Sequence, residues 1–361
     1  MLQLLGRMAS PKPMQARTQY EREILEQPNV LRRLLSEGRS AAEAAARAIE
    51  QFGPAWVLIA ARGSSDNAAR YAQYLLGAHN RLGVALAVPS LFTIYDAPPR
   101  VSGALTIGIS QSGQSPDIVS VVSEARRQGG ATLAVSNDPN SPLCLAASHR
   151  LPLLAGTERA VAATKTYTAE LFALAMLSAA LEGKAERWAE LSQVPTWVEQ
   201  VIADNRELSA QAALFQGAQR LVVLGRGFNY STAFELALKL KETCYVVAEP
   251  YSVADLLHGP VAMIDRGFPV IVVAPSGRAL GDAPALLSLL EERGARVLAI
   301  SDVPELLARA EARIALPAGV PEWLSPIIAI VPAQLFAGEM ALSSGQNPDR
   351  PRGLSKVTLT R

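Results

Sequence analysis

The sequence predicts an α/β protein built from two similar units in tandem, each a doubly wound parallel sheet flanked by helices. Three observations carry this expectation. Short apolar runs alternate with segments of helical spacing between residues 56 and 135, and again between 220 and 300. The runs are continuously apolar, as strands buried on both faces must be. Landmarks also recur in register: Arg62-Gly63 returns as Arg226-Gly227 and Ser112-Gly113 as Ser276-Gly277, each 164 residues later. The stretch LAVSND from Leu133 returns as LAISD from Leu298, 165 residues later, and repeats of this kind indicate one unit written twice.

Taken in order, residues 14 to 52 read as helices, the first ending at Pro28 and an alanine-rich periodic run beginning at Ser40. Trp56–Ala61, Val84–Val88, Leu105–Ile109 and Ala131–Val135 are strand candidates with helices between them. Residues 165 to 217 are again helical, rich in Ala, Leu and Glu, and Arg220–Leu224, Val270–Ala274 and Arg296–Ile300 resume the strand pattern. The expected organisation is an N-terminal helical segment (1–47), a first unit (48–190), a second unit (208–345) and a C-terminal tail (346–361).

With 361 residues, 49% of them apolar and 19% charged, the chain can bury substantial cores and is not of the disordered class. A net charge of +1 gives no general attraction to nucleic acid or an anionic membrane, so neither partner is expected. Cys144 and Cys244 form no CxxC pair, which suits a reducing compartment, and a cytoplasmic location is expected. The start MLQLLGRMASPKPMQAR lacks the apolar core of a signal peptide. Leu171–Leu181 is too short to span a bilayer and Leu324–Gly338 is interrupted by Pro326 and Pro332, so both are read as buried helices. His79, His149 and His258 stand apart without metal-ligand spacing, and neither a metal nor a cofactor is expected.

Polar chemistry concentrates in two places. The first is GISQSGQSPD, residues 108 to 117, at the end of a strand candidate. Ser115 suits an N-cap and Pro116 the first helical position. Ser110, Ser112 and Ser115 then surround free backbone donors, and Gly113 lets the chain approach closely, which makes a phosphate cradle without a lysine. The alternative is an ordinary capped turn, because Asp117 in the first helical turn would repel phosphate unless its carboxylate points away. No GxxxxGK[ST] or GxGxxG occurs, so neither a Walker loop nor a dinucleotide site is expected. The second copy, Ala274-Pro275-Ser276-Gly277-Arg278-Ala279, has lost most of the hydroxyls and is expected mainly to close a sheet.

The second concentration lies in Phe234 to Pro260, where Glu235, Lys239 and Glu242 fall at i, i+4 and i+7 on one helix face. Such a stripe is commonly a solvated, salt-bridged surface. Its alternative is chemical: proton transfer between adjacent carbons of an open-chain sugar needs a carboxylate, ring opening needs a group such as His258, and a lysine can stabilise enediolate charge.

Six segments in order, "REILEQPNVL", "RGSSDNA", "SQSGQSPD", "AGTERAVAATKTYTAEL", "ELALKLKETCYVVAEPYSVADLLHGP" and "NPDRPRGLSKVTL", give the chain its resemblance to the sugar isomerase (SIS) family. In particular it resembles the isomerase half of glucosamine-6-phosphate synthase and the SIS-type aminosugar-phosphate deaminases. The resemblance implies flavodoxin-like domains and a phosphosugar site. It implies that Ser110, Gln111, Ser112 and Ser115 bind phosphate, and that Ser65 contacts the sugar, with Gly63, Ser64 and Val161 also lining the substrate. It implies Glu242 as the base between C1 and C2, and His258 as the ring-opening residue reaching a neighbouring subunit's site in a homodimer. Lys239 and Glu235 are implied on the same helix, and Lys356 in a tail that folds over the sugar. Arg62 replaces a usually small residue and Ala163 stands where the synthase has serine.

The synthase draws ammonia from a glutaminase domain with an N-terminal cysteine, whereas about fifty residues precede the first strand here and none is cysteine. The expected activity is therefore the reverse chemistry, glucosamine 6-phosphate and water giving fructose 6-phosphate and ammonia. A fructosamine-6-phosphate deglycase, a galactosamine-6-phosphate deaminase and a non-catalytic sugar-phosphate sensor are the alternatives.

Overall fold

The computed structural model describes residues 17–356. The expectations for the first sixteen residues and for the last five lie outside the described residues. Helices α1 (Gln19–Leu25) and α2 (Gln27–Phe52) lead into the first unit. That unit runs β1 (Trp56–Ala60), α3 (Gly63–Asn80), β2 (Val84–Leu86), α4 (Ser90–Thr93), β3 (Ala104–Ile109), α5 (Pro116–Arg127), β4 (Ala131–Ser136), α6 (Pro142–Ala146) and β5 (His149–Pro152). Helices α7 (Lys165–Glu182), α8 (Ala185–Asp204) and α9 (Ser209–Leu214) follow. The second unit runs β6 (Arg220–Gly225), α10 (Tyr230–Cys244), β7 (Val247–Ser252), α11 (Val253–Leu257), β8 (Pro269–Val273), α12 (Ala283–Glu292), β9 (Arg296–Ser301), α13 (Pro304–Arg309), β10 (Ala312–Ala315) and α14 (Ser325–Ser343).

Both sheets are parallel throughout and have one strand order, β2-β1-β3-β4-β5 in the first and β7-β6-β8-β9-β10 in the second. The doubly wound α/β expectation is met twice, and the repeat read from the sequence is a repeat of topology. In this order the chain reverses direction across the sheet between β1 and β3, and between β6 and β8. The crevice beyond those strand ends is where such sheets take ligands.

The seven expected strands are present; β5, β7 and β10 were not expected. All three lie at sheet edges. β3 is buried at every position, whereas β10 alternates buried and exposed residues and β5 opens with exposed His149 and Arg150. A half-exposed edge does not produce a continuous apolar run.

One apolar core unites the two units, drawing on β1 and β3 of the first sheet, β6, β8 and β9 of the second, and α2, α3, α7, α10 and α14. Helices α7 and α14 are buried on nearly every face, which explains their apolar composition. The stretch Glu322–Ser343 is long and apolar enough to cross a membrane by length and composition, but 89% of its apolar 18-residue window is buried inside the protein. Two readings of proline are corrected. Pro28 sits in the first turn of α2, where a missing N–H costs nothing, and the helix runs unbroken through Ser40. Pro332 lies inside continuous α14, whose buried surroundings override the lost hydrogen bond.

The repeat extends to side chains. Arg62 Nε meets Asp117 Oδ2 at 2.8 Å, and Arg226 Nη1 meets Asp282 Oδ2 at 2.7 Å, each pair joining the first strand's end to the helix after the third. The two turns themselves diverge. In the second, the N–H groups of Arg278 and Ala279 donate to the Glu322 carboxylate at 2.9 and 3.0 Å. Ser276 donates to Asp302 through its N–H at 2.6 Å and its hydroxyl at 2.5 Å. A side chain at Gly277 would collide with Glu322. The second turn is thus filled by the protein's own acids. Glu322→Ala removes two acceptors and is expected to lower stability by about 1–2 kcal/mol, read as a shift in urea midpoint at constant slope.

Candidate active site

The serine turn closes β3, at the crevice where the sheet order reverses. Ser115 occupies the N-cap and Pro116 the first turn of α5, as expected, but the Ser115 hydroxyl makes no capping bond. Ser110 Oγ accepts from the Gly113 N–H at 3.1 Å and Ser112 Oγ from the Gln114 N–H at 3.3 Å. The N–H groups of Gln111, Ser112 and Ser115 have no partner among the described residues. Gly113 has φ +62° and lies so close to the Ser141 hydroxyl that a Cβ would collide with it. The turn therefore presents three hydroxyls and several free donors around a tight bend. Asp117 does not oppose an anion here: its carboxylate is buried, one oxygen on Arg62 and the other accepting from the Ile118 N–H. Arg62 is accounted for by that pairing.

The α10 cluster is no solvated stripe. Glu235 and Lys239 are 0% exposed. Lys239 Nζ is 2.6 Å from Glu242 Oε2 and 3.4 Å from Glu235 Oε1, a cation held between two acids. The cluster reaches the first unit through α3: Ser64 Oγ donates to Glu235 Oε1 at 2.9 Å, Asn67 Nδ2 donates to Glu235 Oε2 at 2.8 Å, and Lys239 Nζ donates to Ser64 Oγ at 3.2 Å. Burial would lower the Lys239 pKa, yet Glu235 and Glu242 together hold it above the usual lysine value. Burial raises Glu235, with Lys239 and the Asn67 bond opposing.

Two further buried acids lie near this cluster. Glu158 is buried and accepts from the Thr164 and Thr166 N–H groups at 2.9 and 3.1 Å, from Thr166 Oγ1 at 2.7 Å and from Lys356 Nζ at 2.5 Å. Burial alone would raise its pKa, but Lys356 and these donors hold it below the usual range. Glu170 accepts from Ser65 Oγ at 2.7 Å. Glu158 and Gln111 share the wall of one open cleft with Arg33 and Asn137, which links the serine turn to the tail lysine. The tail is fastened before it reaches the site. Asp349 accepts from the Gln19 and Tyr20 N–H groups at 2.9 and 2.7 Å, and Arg352 lies 3.8 Å over the Tyr245 ring.

Of the residues named from the sequence, Gly63, Ser64 and Ser65 form the first turn of α3, and Ser64 and Ser65 join the acids. Glu235, Lys239 and Glu242 meet as described, Lys356 pairs with Glu158 instead, and Val161 lies in the loop ahead of α7, partly buried. His258 is exposed at the end of α11 and makes no contact with the Glu242 group in its own chain. Asn67, Glu158 and Glu170 were missed. The signal for Glu170 was an acid in an otherwise apolar helix, and for Glu158 an acid set before the Thr-Lys-Thr that opens it.

Residues 56–180 and 214–344 each match the SIS domain model. The chain belongs to the SIS domain family. Its relatives include the isomerizing glutamine–fructose-6-phosphate aminotransferase of Methanothermobacter thermautotrophicus, 33% identical over 338 residues, covering 93% of this chain and 56% of that protein. This SIS chain thus spans about half the length of the curated relatives it matches. Among solved structures it is similar to the C-terminal domain of glucosamine-fructose-6-phosphate aminotransferase from Francisella tularensis, with 27% identity, a TM-score of 0.83, and coverage of 93% of this chain and 99% of that one. Glucosamine-6-phosphate deaminase from Thermotoga maritima shares the fold at 22% identity and a TM-score of 0.72, covering 95% and 100%. A putative phosphosugar isomerase from Silicibacter pomeroyi is also similar, at 33% identity and a TM-score of 0.82, with coverage of 92% of this chain and 100% of that one.

Lys239→Met leaves Glu235 buried without its cation. It is expected to destabilise the fold by about 3–5 kcal/mol at neutral pH, and by less in acid where the carboxyls protonate, measured by urea unfolding at both pH values.

Proposed function

We propose that this SIS chain is an aminosugar-phosphate deaminase of aldose–ketose isomerase type, converting glucosamine 6-phosphate and water to fructose 6-phosphate and ammonia. The observation that carries the reading is Lys239 held 2.6 Å from Glu242 and tied to Ser64 of α3, in the unit whose serine turn closes β3. A phosphate on that turn would fix the far end of an open-chain sugar and set its reactive carbons in register with α10. The relatives' names supply the hexose 6-phosphate and the amino group.

In this reading ring opening yields the C1 aldehyde, and Glu242 takes the C2 proton and returns it to C1. Lys239 stabilises the negative oxygen that forms meanwhile. The C2–H pair becomes the C1=C2 bond of an enolamine whose O1 takes up a proton from water. Protonation at C1 uses that pair while the nitrogen lone pair forms a C2 iminium, to which water adds, losing a proton, and the C–N bond then breaks to release ammonia and the C2 ketone. His258 serves ring opening from a neighbouring copy of the chain, which accords with its exposed position.

Purified protein given glucosamine 6-phosphate is expected to release ammonia in a coupled spectrophotometric assay, with Glu242→Gln slower by about 10²–10⁴-fold. Interconversion of glucose and fructose 6-phosphates without ammonia release from the amino sugar would replace this reading with a plain isomerase.

A further inference from the structure

Glu170 lies in apolar α7 and is 1% exposed. It accepts one hydrogen bond, from Ser65 Oγ, and its second oxygen, Oε2, is buried without a partner among the described residues. No lysine or arginine among those residues forms an ion pair with it. Glu158 is the contrast, buried to a similar degree yet supplied with backbone donors, hydroxyls and Lys356. A buried carboxylate needs donors of that kind, and a buried neutral acid does not. The groups facing Glu170 are Ser65 of α3, Glu235 of α10, Glu158 of the loop before α7, Lys356 of the tail and Tyr167 on its own helix. Burial first, reinforced by Glu235 and Glu158 and opposed by Ser65 and Lys356, pushes the Glu170 carboxyl up to about 8.

Ser65 has one proton to place. Beside an ionised Glu170 that proton is committed to the carboxylate, and Ser65 offers a ligand only lone pairs. Beside a neutral Glu170 the acid can donate to Ser65 Oγ, and the Ser65 proton is free to turn into the crevice. A phosphate oxygen or an enediolate only accepts hydrogen bonds, so the two states differ in their welcome to an anionic ligand. We propose that Glu170 is a positioning residue that sets the donor direction of Ser65, so that the crevice holds an anionic sugar ligand well only while Glu170 keeps its proton. This rests on the phosphosugar reading proposed above and on the sugar contact that the SIS resemblance implies for Ser65.

The test is titration calorimetry of the full chain with glucitol 6-phosphate, an amine-free open-chain probe, at pH 7 and pH 9, for wild type, Glu170→Gln and Ser65→Ala. The amide introduced by Glu170→Gln donates to Ser65 at every pH, so the ratio of wild-type to Glu170→Gln affinity removes the probe's own ionisation. An acid titrating near 8 goes from about nine-tenths to about one-tenth protonated over this range, so wild type is expected to lose roughly tenfold in affinity relative to Glu170→Gln. Ser65→Ala is expected to lose the wild type's alkaline weakening, and it decides the matter alone if Glu170→Gln does not fold. Equal pH dependence in wild type and Glu170→Gln, or an undiminished alkaline loss in Ser65→Ala, overturns the role of Glu170. Failure of the probe to bind any of the three at either pH overturns the underlying phosphosugar reading instead.

Discussion

A lysine ammonium with no exposure to water, fixed between two glutamates on its own helix, is the constraint on which this structure turns. Removing such a charge from solvent is unfavourable unless its partners are complete, so the surroundings must be built to complete them. Here the completing groups come from the other unit: Ser64 and Asn67 of α3 satisfy Glu235, and Ser64 also receives Lys239. The ion cluster therefore ties α10 to the crevice above the first sheet. The polar chemistry and the seam between the repeated units are the same place, supported beneath by one continuous apolar core.

Duplication gave the chain two equivalent turns, and the chain uses them differently. The first keeps its hydroxyls and N–H groups without a partner among the described residues, and the acid in its own helical turn, Asp117, is turned onto Arg62. The second carries Glu322 and Asp302 on its donors, so a carboxylate of the protein stands where an anionic ligand would lie. The Arg–Asp pair survives in both copies, Arg62 with Asp117 and Arg226 with Asp282, because it holds a strand end to a helix start whatever the turn binds. Asymmetry of function thus rests on a few side chains, over a backbone plan that is common to both sheets.

Much of this was legible in the sequence, for identifiable reasons. Central strands buried on both faces read as unbroken apolar runs, and the spacing of Ser115, Pro116 and Asp117 specified the start of α5. Edge strands such as β10 escaped because half-burial erases the run, and Pro28 and Pro332 misled because a first turn and a buried helix each tolerate proline. The spacing of Glu235, Lys239 and Glu242 showed a shared face but not what covered it. Burial is a property of α3 and of the other unit, far away in sequence. Glu158 and Glu170 were hidden for the same reason, since a single acid acquires its role from Lys356 or Ser65, more than a hundred residues distant.

The central claim is that the open turn and the buried lysine cluster are two ends of one ligand site. A crystal structure with glucitol 6-phosphate tests it most directly. The account requires the phosphate within hydrogen-bond distance of Ser110, Ser112 and Ser115, with the carbon chain extending towards Glu242. A phosphate bound elsewhere, or a sugar chain leading away from α10, would contradict it.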